Sequence, residues 1–132
     1  MKQQWINITC PIYLSIPRKT KKDKNITLNM NWYRNAYFHE SNFVKQQFKD
    51  IIEEKLSWVK IPEPYGLEMV LYYKRNCDLD NFDAIISKFL NDALKEIWSI
   101  SDDNVNVFQY KSCRVWGKDT ENPRMEINII KL

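Results

Sequence analysis

The chain has 132 residues, 44% of them hydrophobic and 14% aromatic, with a formal net charge of +3. That length and apolar content predict one domain over residues 1–132 with a true core, and they exclude a disordered chain. Only two glycines occur, Gly66 and Gly117, so a glycine-rich phosphate cradle or a dinucleotide fingerprint is excluded as well.

In chain order, Trp5 to Ile16 alternates and is rich in β-formers, which predicts a strand bent near Pro11 and ended by Pro17. Residues 17–32 read as a long, basic, Asn-rich connection. Phe43, Val44, Phe48, Ile51, Ile52, Leu56 and Val59 recur at helical spacing. They predict a helix capped by Ser41 and stopped by Pro62 and Pro64. Gly66 to Arg75 is a near-continuous apolar run, the pattern of a buried central strand. A second helix follows, with Phe82, Ile85, Ile86, Phe89, Leu90, Ala93, Leu94 and Ile97 on one broad face. Asp80 or Asn81 is its expected cap. Val105 to Trp116 and Met125 to Leu132 complete the chain as strands, expected to pair as an antiparallel hairpin. The predicted fold is α+β, close to α/β in character. It is a single mixed β-sheet of about four strands covered by two main helices, in the order β-α-β-α-β-β.

Cys10, Cys77 and Cys113 are odd in number and widely spaced, and they match neither a zinc spacing nor a disulfide framework. A reducing compartment fits that usage. Met1 to Trp5 carries no signal-peptide apolar stretch, and no run approaches a membrane span. The expectation is a cytoplasmic protein with no membrane partner.

The chemistry concentrates around the second helix. Asp78 and Asp80 follow the buried strand, at the end where open α/β sheets place ligand sites. Asp102 and Asp103 return after the helix. If the two pairs gather at one point, they offer hard oxygen ligands suited to Mg²⁺ or Mn²⁺. In a basic, aromatic-rich chain, the group to meet there is a nucleic-acid phosphate. The same acids also suit a plainer role as helix caps and turn residues. Arg18, Lys19, Lys21, Lys22 and Lys24 crowd one segment, either as a solvated loop or as phosphate contacts; Lys74, Arg75 and Arg34 are further candidates. Trp32, Tyr33 and Tyr37 are read as core or interface, with base stacking as the alternative. His39 is read as a surface residue. Cys77 lacks a histidine partner and is not a thiol nucleophile.

Asp78-Leu79-Asp80-Asn81, then Lys88, then Asp92-Ala93-Leu94, then Asp102-Asp103 before Val105 together resemble the RusA family of Holliday junction resolvases. The N-terminal half also resembles phage-type members, in the strand ending at Pro17, the basic segment, and Asn31-Trp32-Tyr33-Arg34-Asn35. The resemblance implies a small homodimer that resolves four-way DNA junctions by paired symmetric nicks, using Mg²⁺, in recombination and repair. It implies that Asp78, Asp80 and Asp103 are the essential metal-binding acids, with Asp102 accompanying them and Lys88 as the catalytic lysine. One departure stands out. The family lysine falls four residues after the second Asp of the motif, where this chain has Ala84. Lys88 fits only if about one extra turn precedes it, which shifts it by about 6 Å along the helix. That displacement favours an alternative: a branched-DNA-binding protein that keeps the fold without turnover.

Overall fold

The computed structural model describes residues 3–132. Met1 and Lys2, part of the N-terminus read above, lie outside them. The elements are β1 (Gln3–Cys10), β2 (Tyr13–Ile16), β3 (Lys24–Thr27), α1 (Met30–Asn35), α2 (Phe38–Leu56), β4 (Tyr65–Tyr73), α3 (Leu79–Glu96), β5 (Phe108–Lys118) and β6 (Arg124–Lys131). The fold is mixed α+β. A four-stranded sheet runs β1-β6-β4-β5, and β2 and β3 form a separate small sheet. β4 and β5 are parallel, joined by the α3 crossover, while β6 is antiparallel to both β4 and β1.

The expected hairpin of the last two strands does not form, because β4 lies between them. Burial accounts for this order. Met125, Ile127, Ile129 and Ile130 of β6 are all buried, which demands a neighbour on each side. β5 is largely exposed and takes the edge. The connection between them passes over the end of β4, where the Asp119 amide donates to the Tyr73 carbonyl at 2.7 Å.

The stretch predicted as one bent strand is two strands in different sheets. Pro11 cannot donate to a ladder, and the chain turns there to bury Ile12. The Ile12 carbonyl then accepts from the Leu28 amide at 2.8 Å. The long connection holds β3 and α1. Ile26 and Leu28 are buried, and Asn29 caps α1 by accepting from the Trp32 amide at 2.8 Å. Helix α2 begins at Phe38, before Ser41, which therefore does not cap it; the Ser41 hydroxyl donates back to the Phe38 carbonyl instead. It also ends before the prolines. Trp58 just beyond it adopts φ of +68°, a left-handed stop that falls on a bulky residue in a chain poor in glycine. The cap of α3 is Asp78 rather than Asp80 or Asn81.

Leu67, Met69 and Leu71 of β4 are buried and alternate with the half-exposed Glu68, Val70 and Tyr72. One face of the sheet is thus covered by helices and the other is open. Phe89 of α3 anchors the covered side, meeting the rings of Phe48, Trp32 and Tyr33 edge-on at 5.9, 6.2 and 5.8 Å. No helix among the described residues is long and apolar enough to cross a membrane.

Candidate functional site

β4 leaves the sheet at Tyr73, and residues 74–77 carry the chain to α3 in exposed backbone. Asp78 stands at the N-cap in extended conformation, yet its carboxylate makes no capping hydrogen bond. Asp80 follows in the first turn and is exposed. Asp83 lies about one turn further on, and its Oδ2 is 3.7 Å from the Lys111 ammonium. Lys111 also donates to the Ser87 hydroxyl at 3.5 Å. Lys111 pairs with Leu67, and Cys113 with Met69, so both β5 side chains share the covered face and look toward α3. The Cys113 thiol is pushed up to about 11, first by burial and then by the Asp83 and Asp80 charges, against the pull of Lys111. Two carboxylates, an ammonium, a thiol and a hydroxyl therefore cluster at this end of α3.

The polar character continues along the helix. Asp83, Ser87 and Asn91 recur every four residues, and Ser87 and Asn91 are buried. Asn91 is satisfied by the Tyr65 hydroxyl, which donates to its Oδ1 at 2.5 Å. Burial, and then the charges of Asp103 and Glu63, push the Tyr65 phenol up. A polar stripe thus runs beneath α3 from its acidic start toward its far end.

Asp102 and Asp103 sit at that far end. Lys95, in the last turn, holds them at 3.8 and 3.6 Å. The Asp103 amide donates to Asp102 Oδ1 at 2.7 Å, and the Asn104 side chain donates to Oδ2 at 3.0 Å. The Asp103 amide, the other hydrogen bonds and Lys95 keep the Asp102 carboxyl below its usual range. From Asp80 to Lys95 the helix rises roughly 22 Å. Carboxylates sharing one Mg²⁺ sit about 2 Å from it. In one chain Asp78 and Asp80 stand at the start of α3 and Asp102 and Asp103 beyond its end, so the two pairs are not united. Among the described residues no three His, Cys, Asp or Glu side chains stand close enough to hold a metal ion. As a donor set, the acids of a single chain do not fit Mg²⁺ or Mn²⁺.

No protein-family model matches the chain, and no curated protein matches it. The likeness to the RusA family rests on the motif residues themselves.

Lys88 sits on the exposed side of α3 and reaches onward to Asp92, 3.4 Å away, in the direction opposite to Asp80. The lysine that does approach the acidic start is Lys111, which sequence reasoning missed. The readable signal was the polar spacing of Asp83, Ser87 and Asn91 on a helix otherwise apolar on that side.

The basic candidates divide in two. Lys74 and Arg75 are exposed and line a cleft of about 320 Å³ with Tyr13, Ser15, Asn25 and Thr27 at the base of the β2–β3 hairpin. Burial, partly offset by Arg75, raises the Tyr13 phenol there. Lys19, Lys21 and Lys22 are exposed in the connection between β2 and β3, which Arg18 closes by donating to the Lys22 carbonyl at 2.8 Å. Lys24 is a tie instead: it donates to Glu40 at 2.7 Å, while the Trp32 indole donates to the other oxygen at 2.8 Å. These bonds, Lys24 first, hold the Glu40 carboxyl low. Arg34 is exposed in the last turn of α1. Trp32 and Tyr33 pack on Phe89, as the core reading expects, whereas Tyr37 is 83% exposed. His39 is exposed against Phe38. Burial and then Asp78 raise the Cys77 thiol, which keeps it protonated near neutral pH.

Proposed function

We propose that this chain is a metal-dependent, structure-selective endodeoxyribonuclease of RusA type, which resolves four-way junctions in recombination and repair. The observation that carries the reading is the uncapped Asp78 beside exposed Asp80, at the exit of a central strand and next to the Lys74–Arg75 cleft. Carboxylates with no hydrogen bond or ion pair among the described residues, bordered by exposed cations, suit a site that meets a phosphate backbone. Lys74, Arg75 and the exposed lysines between β2 and β3 would hold that backbone, and Lys111 would bring positive charge to the reacting phosphate.

The separation of the acidic pairs shapes the proposal. A two-fold junction asks for a two-fold protein. In a homodimer, Asp103 of the partner subunit would complete the set begun by Asp78 and Asp80. Mg²⁺ or Mn²⁺ is the class of cation such a set takes. A second reading, a junction-binding protein without turnover, is favoured by the absence of a metal-holding group in the single chain among the described residues.

Incubating a labelled four-way junction with the protein, with Mg²⁺ or with chelator, tests the enzyme reading. Paired symmetric nicks that need the cation are expected. Tight junction binding without nicks under any divalent ion tried would leave the second reading standing instead.

A further inference from the structure

β5 carries one more residue than β4 needs. Leu71 pairs with Val115 but Tyr72 pairs with Gly117, so Trp116 is the inserted residue of a β-bulge. Gly117 follows at φ of +151°, a conformation strained for any L side chain. The bulge lays Trp116 against Tyr72, with ring centroids 4.8 Å apart and planes 28° off parallel. From β6, on the other side of β4, Arg124 sets its guanidinium 3.8 Å from the Tyr72 centroid. Arg124 is itself held by Glu126 at 2.7 Å and Asp119 at 2.9 Å. The result is a fixed row of guanidinium, phenol and indole across three strands. Trp116 ends the row at the sheet edge, 59% exposed.

The surroundings say what fits there. β5 contains Lys111, Arg114 and Lys118 and no acidic residue. Arg114 pairs with Val70, which puts it on the open face of the sheet with Tyr72. The open face of an indole stacks on any nucleobase, and Arg114 on the same face takes a flanking phosphate. A second copy of β5 is a poorer occupant, since pairing two such edges sets like charges against each other. A base can reach this platform only when it is unpaired and unstacked, as at a branch or in a single strand.

We infer that Trp116, supported by Tyr72 and Arg124, is a stacking platform for an unpaired nucleobase, with Arg114 taking an adjoining phosphate. The inference rests on the nucleic-acid reading above but not on catalysis.

The test titrates the full chain with a short oligothymidine, with a linear duplex, and with a four-way junction carrying a fluorescent purine at its branch. Oligothymidine is expected to quench tryptophan emission. Trp116→Ala should abolish most of that quench and weaken oligothymidine and junction binding about tenfold, with linear duplex unaffected. Trp116→Phe should keep most of the affinity, and thermal melting of both variants guards against misfolding. If the parent binds DNA and Trp116→Ala binds and quenches equally well, the stacking role is overturned while the nuclease reading survives. If the parent binds none of the three DNAs, both fall. Loss of a dimer in Trp116→Ala by sedimentation, with no DNA-dependent change, would make the edge a protein interface and also overturn the platform.

Discussion

The two ends of α3 carry the same residue type in opposite physical states. At the start, Asp78 occupies a cap position and does not cap, and Asp80 is exposed beside it. At the finish, Asp102 has partners within the chain: it accepts an amide and a carboxamide and faces Lys95. A carboxylate that already has partners within the chain is committed to the fold, while an exposed one with no partner among the described residues is open to water or to a ligand. Spacing treats the two pairs as equals, and the folded chain does not.

The strongest way to break this contrast is to ask whether the ends act together across two chains. Asp80→Asn and Asp103→Asn should each cut nicking by roughly a thousandfold while leaving junction affinity within a few-fold. Mixing the two inactive variants should restore nicking. In the mixed dimer one site keeps the parent Asp80 of one subunit and the parent Asp103 of the other, so one strand is cut. No restoration on mixing, with subunit exchange shown by sedimentation of tagged chains, would mean that the ends do not complement each other.

A smaller effect sharpens the chemistry of the first end. Lys111→Ala should slow nicking by about tenfold to a hundredfold, with Lys111→Arg recovering part of the loss. Lys88→Ala should change the rate little, since Lys88 is exposed and engaged with Asp92. Reversed effects, read from single-turnover nicking, would return the lysine role to α3.

The contrast also predicts different responses to acid. The Asp102 carboxyl is held low in the folded chain, chiefly by the Asp103 amide. Its contribution to stability is therefore complete above the ordinary carboxylate value and is lost as pH falls through the lower folded one. Asp102→Ala should lower Tm at neutral pH and lose that effect as pH falls below the ordinary carboxylate value and through the lower folded one. Asp78→Asn should leave Tm nearly unchanged at both, because no capping bond is broken. Equal Tm losses at neutral pH would erase the difference between the ends.

Much of this was legible. The apolar spacing of α3 and the buried run of β4 both follow from burial on one side or two, which is written in the residues themselves. The strand order was not legible: the last two strands were expected to pair with each other, and β4 lies between them. Which strand slips between two others depends on crossover packing and on total burial, and no local pattern encodes either. The Lys111–Asp83 contact was hidden for the same reason, since it joins residues distant in sequence through the register of a parallel pair. Asp78-Leu79-Asp80-Asn81 stood out as a motif, but whether its carboxylates would be satisfied internally could be read only from three-dimensional hydrogen bonding.

The smallest test concerns how the second end is built. Trp98 stops α3 with φ of +64° and leaves its side chain 76% exposed. A bulky residue in that region costs about 1 kcal/mol, and glycine does not carry that strain. If the indole contributes nothing else, Trp98→Gly should raise stability by up to about 1 kcal/mol in denaturant unfolding, less what glycine adds to the freedom of the unfolded chain. A loss of similar size would show that the strain is offset by contacts along the groove that Trp98 lines with Trp58 and Ile97. In that case the far end of α3 is a built surface rather than only a turn, and the difference between the ends becomes one of partner rather than of purpose.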